Sequence, residues 1–470
     1  MGRQRVIVPG ETVWRTANAE RLGFIIDARD YFAAFVDAVQ RARESVMILA
    51  WDVDSRLSLI RDGDDDGFEF AAMLAEVLER RPELHIHILC WDFSTIYAME
   101  RELLSQFRMD WMVHDRLHFS YDGNYPPMGS LHEKLVVIDD RVAFIGGIDL
   151  GPRRWDTPDH APDDERRVSP AGTTYRPFHD VQAIVQGEVA RVLGDFARRR
   201  WRRATGDRLD APRKDGDPWP TEVEAAVEDL EVALVRTRPE HDGRAAMSHT
   251  LRFHERLFEL ADERIYVENQ FLTSQAIADA LAGALERDPP PETLLVTARE
   301  NSGWLETAVM GGLRTTFCRR LHEADQHGRL RICSPRIDRE VWPNVHTKLT
   351  IVDDRWAYLG SANFANRSMG LDTECGLGLD GADREDLRAA LRGLRHQLLA
   401  EHLDIEPDAY REKEDELGML GAVEALRGGV RTLENLEIEG DGLSAMLEPV
   451  ARLADPDRPP RLTDLFNEFL

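Results

Sequence analysis

The sequence predicts an α/β protein built from two homologous lobes in one chain. Three observations carry that prediction. The first is a repeated stretch: L-H-E-K-L-V-V-I-D-D-R-V-A-F-I-G-G-I-D-L from Leu131, and N-V-H-T-K-L-T-I-V-D-D-R-W-A-Y-L-G-S-A-N-F-A-N from Asn344. One shift aligns His132 with His346, Lys134 with Lys348, Asp139 with Asp353 and Gly146 with Gly360. The second is that strand-like and helix-like runs alternate in the same order through both halves, the signature of α/β architecture. The third is length: 470 residues exceed one ordinary core.

Taken in order, Ala28 to Ala42 has helical spacing and S-V-M-I-L-A-W is a buried strand, while residues 1–20 read as a lead-in without signal. R-D-G-D-D-D-G from Arg61 to Gly67 is a solvated acidic loop that lacks the rest of an EF-hand spacing. Phe68 to Arg80 is helix, L-H-I-H-I-L-C-W-D is strand, and Ser94 to Met112 is an amphipathic helix. His85 and His87 alternate with apolar residues and share a face, which suggests a polar sheet edge before a metal pair. R-L-H-F-S-Y is the next strand, and a turn-rich loop leads into His132. Arg153 to Arg176 is polar and reads as a surface lobe. H-D-V-Q-A-I-V returns to strand, and Glu188 to Arg203 is a helix ending in R-R-R-W-R-R, read as a solvated face.

Leu209 to Thr221, with three prolines and many charges, reads as the linker. The second half repeats the order: helix over R-F-H-E-R-L-F-E-L-A, strand R-I-Y-V-E-N-Q, helix Ser274 to Arg287, strand T-L-L-V-T-A, helix Leu313 to His327, strand R-L-R-I-C-S, then the second H-x-K. This divides the chain into a first lobe over 1–210, a second over 211–400 and an acidic helical extension over 401–470. A repeat of this length is a domain duplication, not a solenoid.

The repeated stretch carries the chemistry. L-V-V-I and L-T-I-V are short β-branched strands, D-D-R is turn chemistry, and V-A-F-I or W-A-Y-L is the return strand. Residues two apart share a strand face, so each histidine and lysine of H-x-K is offered to one ligand. Asp139 and Asp353 lie at an odd offset from their histidines and read as structural turn residues. Lysine usage sharpens this. Only Lys134, Lys214, Lys348 and Lys413 stand among 59 Lys plus Arg, and two of those four sit in H-x-K. Chance placement gives roughly one in 300, so these positions want a compact ammonium and not a guanidinium fork.

Two such hairpins facing across a pseudo-twofold gather two imidazoles and two ammonium groups at one point. Ammonium repels cations and is no ligand, so this is a poor metal site and a good phosphodiester site. Two opposed histidines suit in-line displacement, one attacking phosphorus and the other protonating the leaving oxygen. The residues alone leave open which does which. Each histidine needs an orienting carboxylate. Asp180 and Glu374, at the starts of matched strands, are the candidates: Asp180 for His132 and Glu374 for His346.

The paired H-x-K-x(4)-D motifs, the second followed by G-S-A-N, resemble the signature of the phospholipase D superfamily. I-Y-V-E-N-Q-F-L-T-S, A-W-D-V-D-S-R, G-G-I-D-L-G-P-R-R-W-D and F-H-D-V-Q-A-I-V-Q-G are similar to segments of true phospholipases D, and N-R-S-M-G-L-D-T-E to bacterial members. The resemblance covers about residues 20 to 400. It implies the phospholipase D fold with the site at the lobe interface, a phosphohistidine intermediate on His132, and His346 as acid and base. It also implies phosphate contacts from Ser361 and Asn363 of G-S-x-N. Their counterparts are Gly147 and Asp149, and a carboxylate at Asp149 should stay off an anion. Asn269 and Gln270, at a strand end facing the site by repeat position, complete the candidates.

The expected activity is hydrolysis of a glycerophospholipid to phosphatidic acid and head group, or head-group exchange. A cardiolipin synthase-like phosphatidyltransferase is the alternative, and a nuclease of the same superfamily stands behind it. Net charge of −27 argues against gripping nucleic-acid backbones, so no nucleic-acid partner is expected. Nothing in the composition calls for a cofactor or a catalytic metal. No run reaches membrane-spanning length and the N-terminus lacks an apolar leader core. Cys90, Cys318, Cys333 and Cys375 read as reduced, buried thiols. The expectation is a cytoplasmic monomer that meets phospholipid at a membrane surface.

Overall fold

Strands of the first half hydrogen-bond in the order Leu117–Asp122, His85–Trp91, Ser45–Ala50, Leu135–Ile138, Val142–Gly146, Val181–Gln186, Arg15–Ile26. The second half repeats that order as Leu330–Arg336, Glu292–Val296, Arg264–Asn269, Lys348–Val352, Trp356–Gly360, Glu374–Asp380, Val227–Arg238. The structure is a computed structural model and describes residues 5–61, 69–92, 114–300, 304–437 and 454–459. The two series meet where Arg15–Ile26 and Val227–Arg238 run antiparallel, Arg15 opposite Leu234 and Leu22 opposite Val227. Equivalent strands paired antiparallel generate a pseudo-twofold, so two duplicated lobes share one continuous sheet.

Helices cover both faces of that sheet. Ala28–Arg41 and Phe70–Arg80 bury Tyr31, Phe32, Phe35 and Leu74 over the first lobe. His249–Leu260 and Gln275–Leu285, with Trp304–Ala324 beside them, do the same for the second. On the other face Glu188–Thr205, Glu385–Leu403 and Pro407–Leu426 contribute to the largest apolar cluster, which spans both lobes. The arrangement is the expected α/β layering.

The hairpin between the H-x-K strand and its return strand is built identically in both lobes. Asp139 and Asp140 have φ of 50° and 55°, and Asp353 and Asp354 have 55° and 51°, conformations that aspartate tolerates through its local polar side chain. The Asp139 carboxylate accepts from Arg43, Glu44 and Ser45 N at 2.7–2.8 Å. Asp353 accepts from Asp262, Glu263 and Arg264 N at 2.8 Å. Each thereby fastens the hairpin tip to the first residues of the neighbouring strand. The next aspartate pairs with a buried arginine below it: Asp140 with Arg198, Asp354 with Arg395.

Several expectations need correction. Residues 1–20 are not a featureless lead-in: Arg15–Ile26 is the seam strand, and its partner Val227–Arg238 also escaped the reading. Charged residues, Glu20 and Arg21 in one and Glu228, Asp229 and Glu231 in the other, confine their apolar runs to residues 22–26 and 232–235. The Arg153 to Arg176 segment has no helix or strand but is not simply a surface lobe, since Trp155, Asp156, His160 and Arg167 are buried in it. The basic run is only partly solvated: Arg199 and Arg202 are exposed, but Arg198 and Arg200 are buried, and Arg200 pairs with Asp122. His85 and His87 do share a face, where their rings stack with that of His118. The four cysteines are buried and form no disulfide. The expected helix over Ser94 to Met112, the acidic loop beyond Arg61, and residues 438–453 and 460–470 of the C-terminal extension lie outside the described residues. Described parts of that extension add a strand, Thr432–Asn435, to the sheet edge beside Cys333–Arg336.

Candidate active site

Short parallel pairings across the pseudo-twofold position the two histidines. Leu131 bridges Thr373, and His132 N donates to Thr373 O at 3.1 Å. In the same way Asn344–Val345 pairs with Phe178–His179, and His346 N donates to His179 O at 2.8 Å. Thr373 and His179 each precede the carboxylate of their own lobe. Each H-x-K histidine therefore arrives beside the carboxylate of the other lobe.

The resulting pairs are crossed. His132 Nδ1 lies 3.0 Å from both oxygens of Glu374, and His346 Nδ1 lies 2.7 Å from Asp180 Oδ2. The sequence reading matched the right carboxylates to the wrong histidines, because a strand pattern does not show which partner a strand start meets. Both carboxylates are fully buried. No hydrogen bond to either histidine Nε2 is found among the described residues.

The lysines flank these pairs. Lys134 Nζ donates to His132 O at 3.1 Å and sits 3.2 Å from Asp149 Oδ2. Lys348 Nζ lies 3.1 Å from Gln270 Oε1 and 3.0 Å from His346 Nδ1. Burial pushes the Lys348 ammonium down to about 7 against the pull of Asp180. Burial, and then the lysine of the same motif, hold His132 and His346 well below the ordinary histidine value. Burial raises Asp180 to about 6, opposed by Lys348. The field of Lys134 reaches His346 and that of Lys348 reaches His132, so the four groups form one electrostatic unit.

The remaining candidates divide. Ser361 does not stand free for a ligand: its Oγ donates to Glu374 Oε2 and accepts from Cys375 N at 3.1 Å. Its counterpart Gly147 lies against Asp180, and a Cβ there would meet both carboxylate oxygens at 2.5 Å. A serine fits one half-site and not the other. Asn363 is 5% exposed and its Oδ1 has no partner, so it is the candidate with an open polar atom. Asn269 Oδ1 accepts from Phe364 N at 2.8 Å, bracing the G-S-A-N turn and not the open site. Gln270 holds Lys348. Asp149 accepts from Trp51 N at 2.9 Å and neutralises Lys134, the structural role expected of it.

Arg154 was missed. It comes from the inserted polar segment, its guanidinium lies 5.3 Å from the Phe178 ring centre, and that ring lies 5.3 Å from His346. Its charge acts on His346, Lys348 and Asp180. The only signal was its place in G-G-I-D-L-G-P-R-R-W-D, which says nothing of where the loop folds.

Comparison with known proteins agrees with this geometry. A family model described as phospholipase D matches residues 38–281, and one described as cardiolipin synthase, PLD-like domain, matches 255–391. Phospholipase D A of Dictyostelium discoideum is 24% identical over 409 residues, covering 73% of this chain and 31% of that protein. Phospholipase D alpha 1 of Zea mays is 24% identical over 519 residues, covering 80% and 64%. The chain thus spans from about a third to just under two thirds of these relatives. The crystal structure of phosphatidylserine synthase from Haemophilus influenzae Rd KW20 superposes with a TM-score of 0.56 at 15% identity, covering 96% of this chain and 95% of that one, a likeness of fold. With one family model matching over half its length and both half-motifs gathered at one site, this chain belongs to the phospholipase D superfamily.

Proposed function

We propose that the protein cleaves a glycerophospholipid phosphodiester on the head-group side, in two steps through a phosphohistidine. The observation that supports this most is the crossed arrangement: two neutralised imidazoles, each oriented by a buried carboxylate from the opposite lobe, between two lysines. Glu374 accepts the Nδ1 proton of His132, which leaves the Nε2 lone pair to attack phosphorus. As the N–P bond forms, the bond from phosphorus to the head-group oxygen breaks. That oxygen takes the proton carried by the His346–Asp180 pair, which a raised Asp180 keeps available near neutrality. Water then gives its proton back to His346 and its oxygen to phosphorus, releasing phosphatidic acid and free His132. Lys134, Lys348 and Arg154 stabilise charge on the phosphoryl oxygens, with the Asn363 side-chain Nδ2 group as a further donor.

Replacing the water by an alcohol gives head-group transfer at the same site. The match of residues 255–391 to the cardiolipin synthase description supports keeping that second outcome. No helix among the described residues is long and apolar enough to cross a membrane, so the substrate would be met from a peripheral position. Purified protein offered a panel of phospholipids should release phosphatidic acid, and should form a phosphatidyl alcohol when ethanol is added. Cleavage of single-stranded DNA without lipid turnover would overturn the assignment.

A further inference from the structure

Behind the His346–Asp180 pair lies a buried cluster that the proposed reaction does not use. Asp27 follows the seam strand, His160 comes from the inserted segment, His179 precedes Asp180, and Glu401 lies on the helix Glu385–Leu403 of the second half. Side-chain exposure is 0% for Asp27 and His179, 1% for His160 and 7% for Glu401. The inner atoms converge. His160 Nε2 is 3.0 Å from Glu401 Oε1 and 3.5 Å from Asp27 Oδ2. His179 Nδ1 is 3.0 Å from Glu401 Oε1 and 3.1 Å from Asp27 Oδ1. One ligand atom from each residue lies within 4.8 Å of all the others. Tetrahedral coordination at ordinary zinc bond lengths separates its ligand atoms by about 3.3 Å.

Two further features set this cluster apart from a network of ion pairs. First, Asp27 Oδ2 and His179 Nδ1 are buried without a hydrogen bond, although charged groups stand close to both. His160 Nε2 and Glu401 Oε1 do hydrogen-bond at 3.0 Å, but the contacts of Asp27 Oδ2 and His179 Nδ1 carry no aligned proton. Second, the outer nitrogen of each histidine is held by its own carboxylate: His160 Nδ1 by Asp156 Oδ2 at 2.9 Å, His179 Nε2 by Glu268 Oε2 at 3.0 Å. Such carboxylate–histidine pairs fix the tautomer that aims the inner lone pair at a metal. Asp156 is in turn paired with Arg167 at 3.0 Å, and Glu268 with His402 at 2.9 Å.

We propose that Asp27, His160, His179 and Glu401 bind one divalent transition-metal ion, zinc in the first place, as a closed structural site. Two imidazoles and two carboxylates in an enclosed four-ligand cage suit zinc, and the two carboxylates balance its charge. The ion would join three separated stretches of chain, including the inserted segment and the second-half helix. It would also stiffen the catalytic pair, because Asp27 N donates to Asp180 O at 2.9 Å and Asp180 N donates to Asp27 Oδ1 at 3.3 Å. It takes no part in phosphoryl transfer. The competing state of the same residues is proton-filled, with His160 and His179 both imidazolium, so metal uptake must release protons.

Elemental analysis of untagged full-length protein decides between them. About one equivalent of zinc per chain is expected, with cobalt substitution giving the intense visible bands of a tetrahedral site. Removal with dipicolinate should lower the melting temperature, and zinc but not magnesium should restore it. Glu401→Gln, at the edge of the cage, should cut zinc content to below about 0.2 equivalent. Should that variant fail to fold, the metal content of the wild-type chain decides alone. Folded wild-type protein that takes up no zinc, cobalt, manganese or iron from excess, with a chelator-insensitive melting temperature, would overturn the site and leave the proton-filled cluster.

Discussion

Lys134 ends on a carboxylate, Asp149, and Lys348 ends on an amide, Gln270. The two lysines stand at matched positions of a duplicated hairpin, and Asp149 and Asn363 stand at the same distance beyond their histidines. The first half-site thus holds a permanent ion pair. The second has no carboxylate of its own for the lysine, which burial drives down to about 7, and it has Asn363 with an open oxygen. A duplicated frame has kept its geometry and divided its charges. In the proposed reaction the first lysine would meet substrate already paired with Asp149, and the second would find its anionic partner in the substrate's phosphate.

The largest effects should come from the lysines. Lys134→Arg and Lys348→Arg should each reduce turnover on the order of 100-fold, about 3 kcal/mol of lost charge stabilisation, since a guanidinium fork cannot occupy a buried ammonium position. Near-normal turnover in both would remove the inference drawn from lysine usage.

Next come the carboxylates, which separate crossed from uncrossed pairing. Loss of an orienting partner should cost about 10–100-fold. With an aryl phosphodiester, whose leaving group needs no proton, Glu374→Gln should slow formation of the covalent intermediate and Asp180→Asn should slow its breakdown. Rapid-quench kinetics that showed the opposite assignment would break the crossed scheme.

The pH dependence sharpens the contrast between lysines. In the empty site Lys348 loses its proton as pH rises through about 7, whereas an unfolded lysine holds its proton to about 10.4. Between those values the unfolded chain binds more protons, so this group makes stability rise with pH across that window. A bound anion needs the ammonium, so inhibition by tungstate should weaken by up to about tenfold per pH unit above 7. Lys348→Met should flatten both slopes, in thermal melts and in inhibition constants.

Smallest should be the turn aspartates, where the halves are alike. Asp139→Asn and Asp353→Asn each disturb three charge-assisted bonds to backbone N–H groups and should cost about 1–3 kcal/mol in denaturant unfolding, with kcat/KM little changed. A selective loss of activity in either would mean that these residues reach the site.

How much of this was legible in sequence depended on whether the signal was local. The H-x-K hairpins, the turn aspartates and the alternation of strands and helices were visible because spacing alone specifies them. Asp180 and Glu374 were visible as strand starts, but their partners were not, since the parallel bridges Leu131–Thr373 and Val345–His179 join residues from different lobes. The seam strands were hidden because clustered charges, such as Glu20 and Arg21, leave each only a short apolar run. Arg154 and His160 were hidden inside a polar segment whose composition resembles a surface loop. Ser361 was read as a ligand, and only packing shows its hydroxyl committed to Glu374.

The most direct test of the two-step account uses His346→Asn with an aryl phosphodiester, whose phenolate leaves without a proton. The first step should proceed and the second stall, giving a burst of about one equivalent of phenol. The stalled protein should carry an alkali-stable, acid-labile phosphoryl group on His132, and His132→Asn should give no burst. An adduct mapped to His346 would reverse the roles, and the absence of any adduct on quenching would contradict the covalent mechanism in favour of direct attack by water.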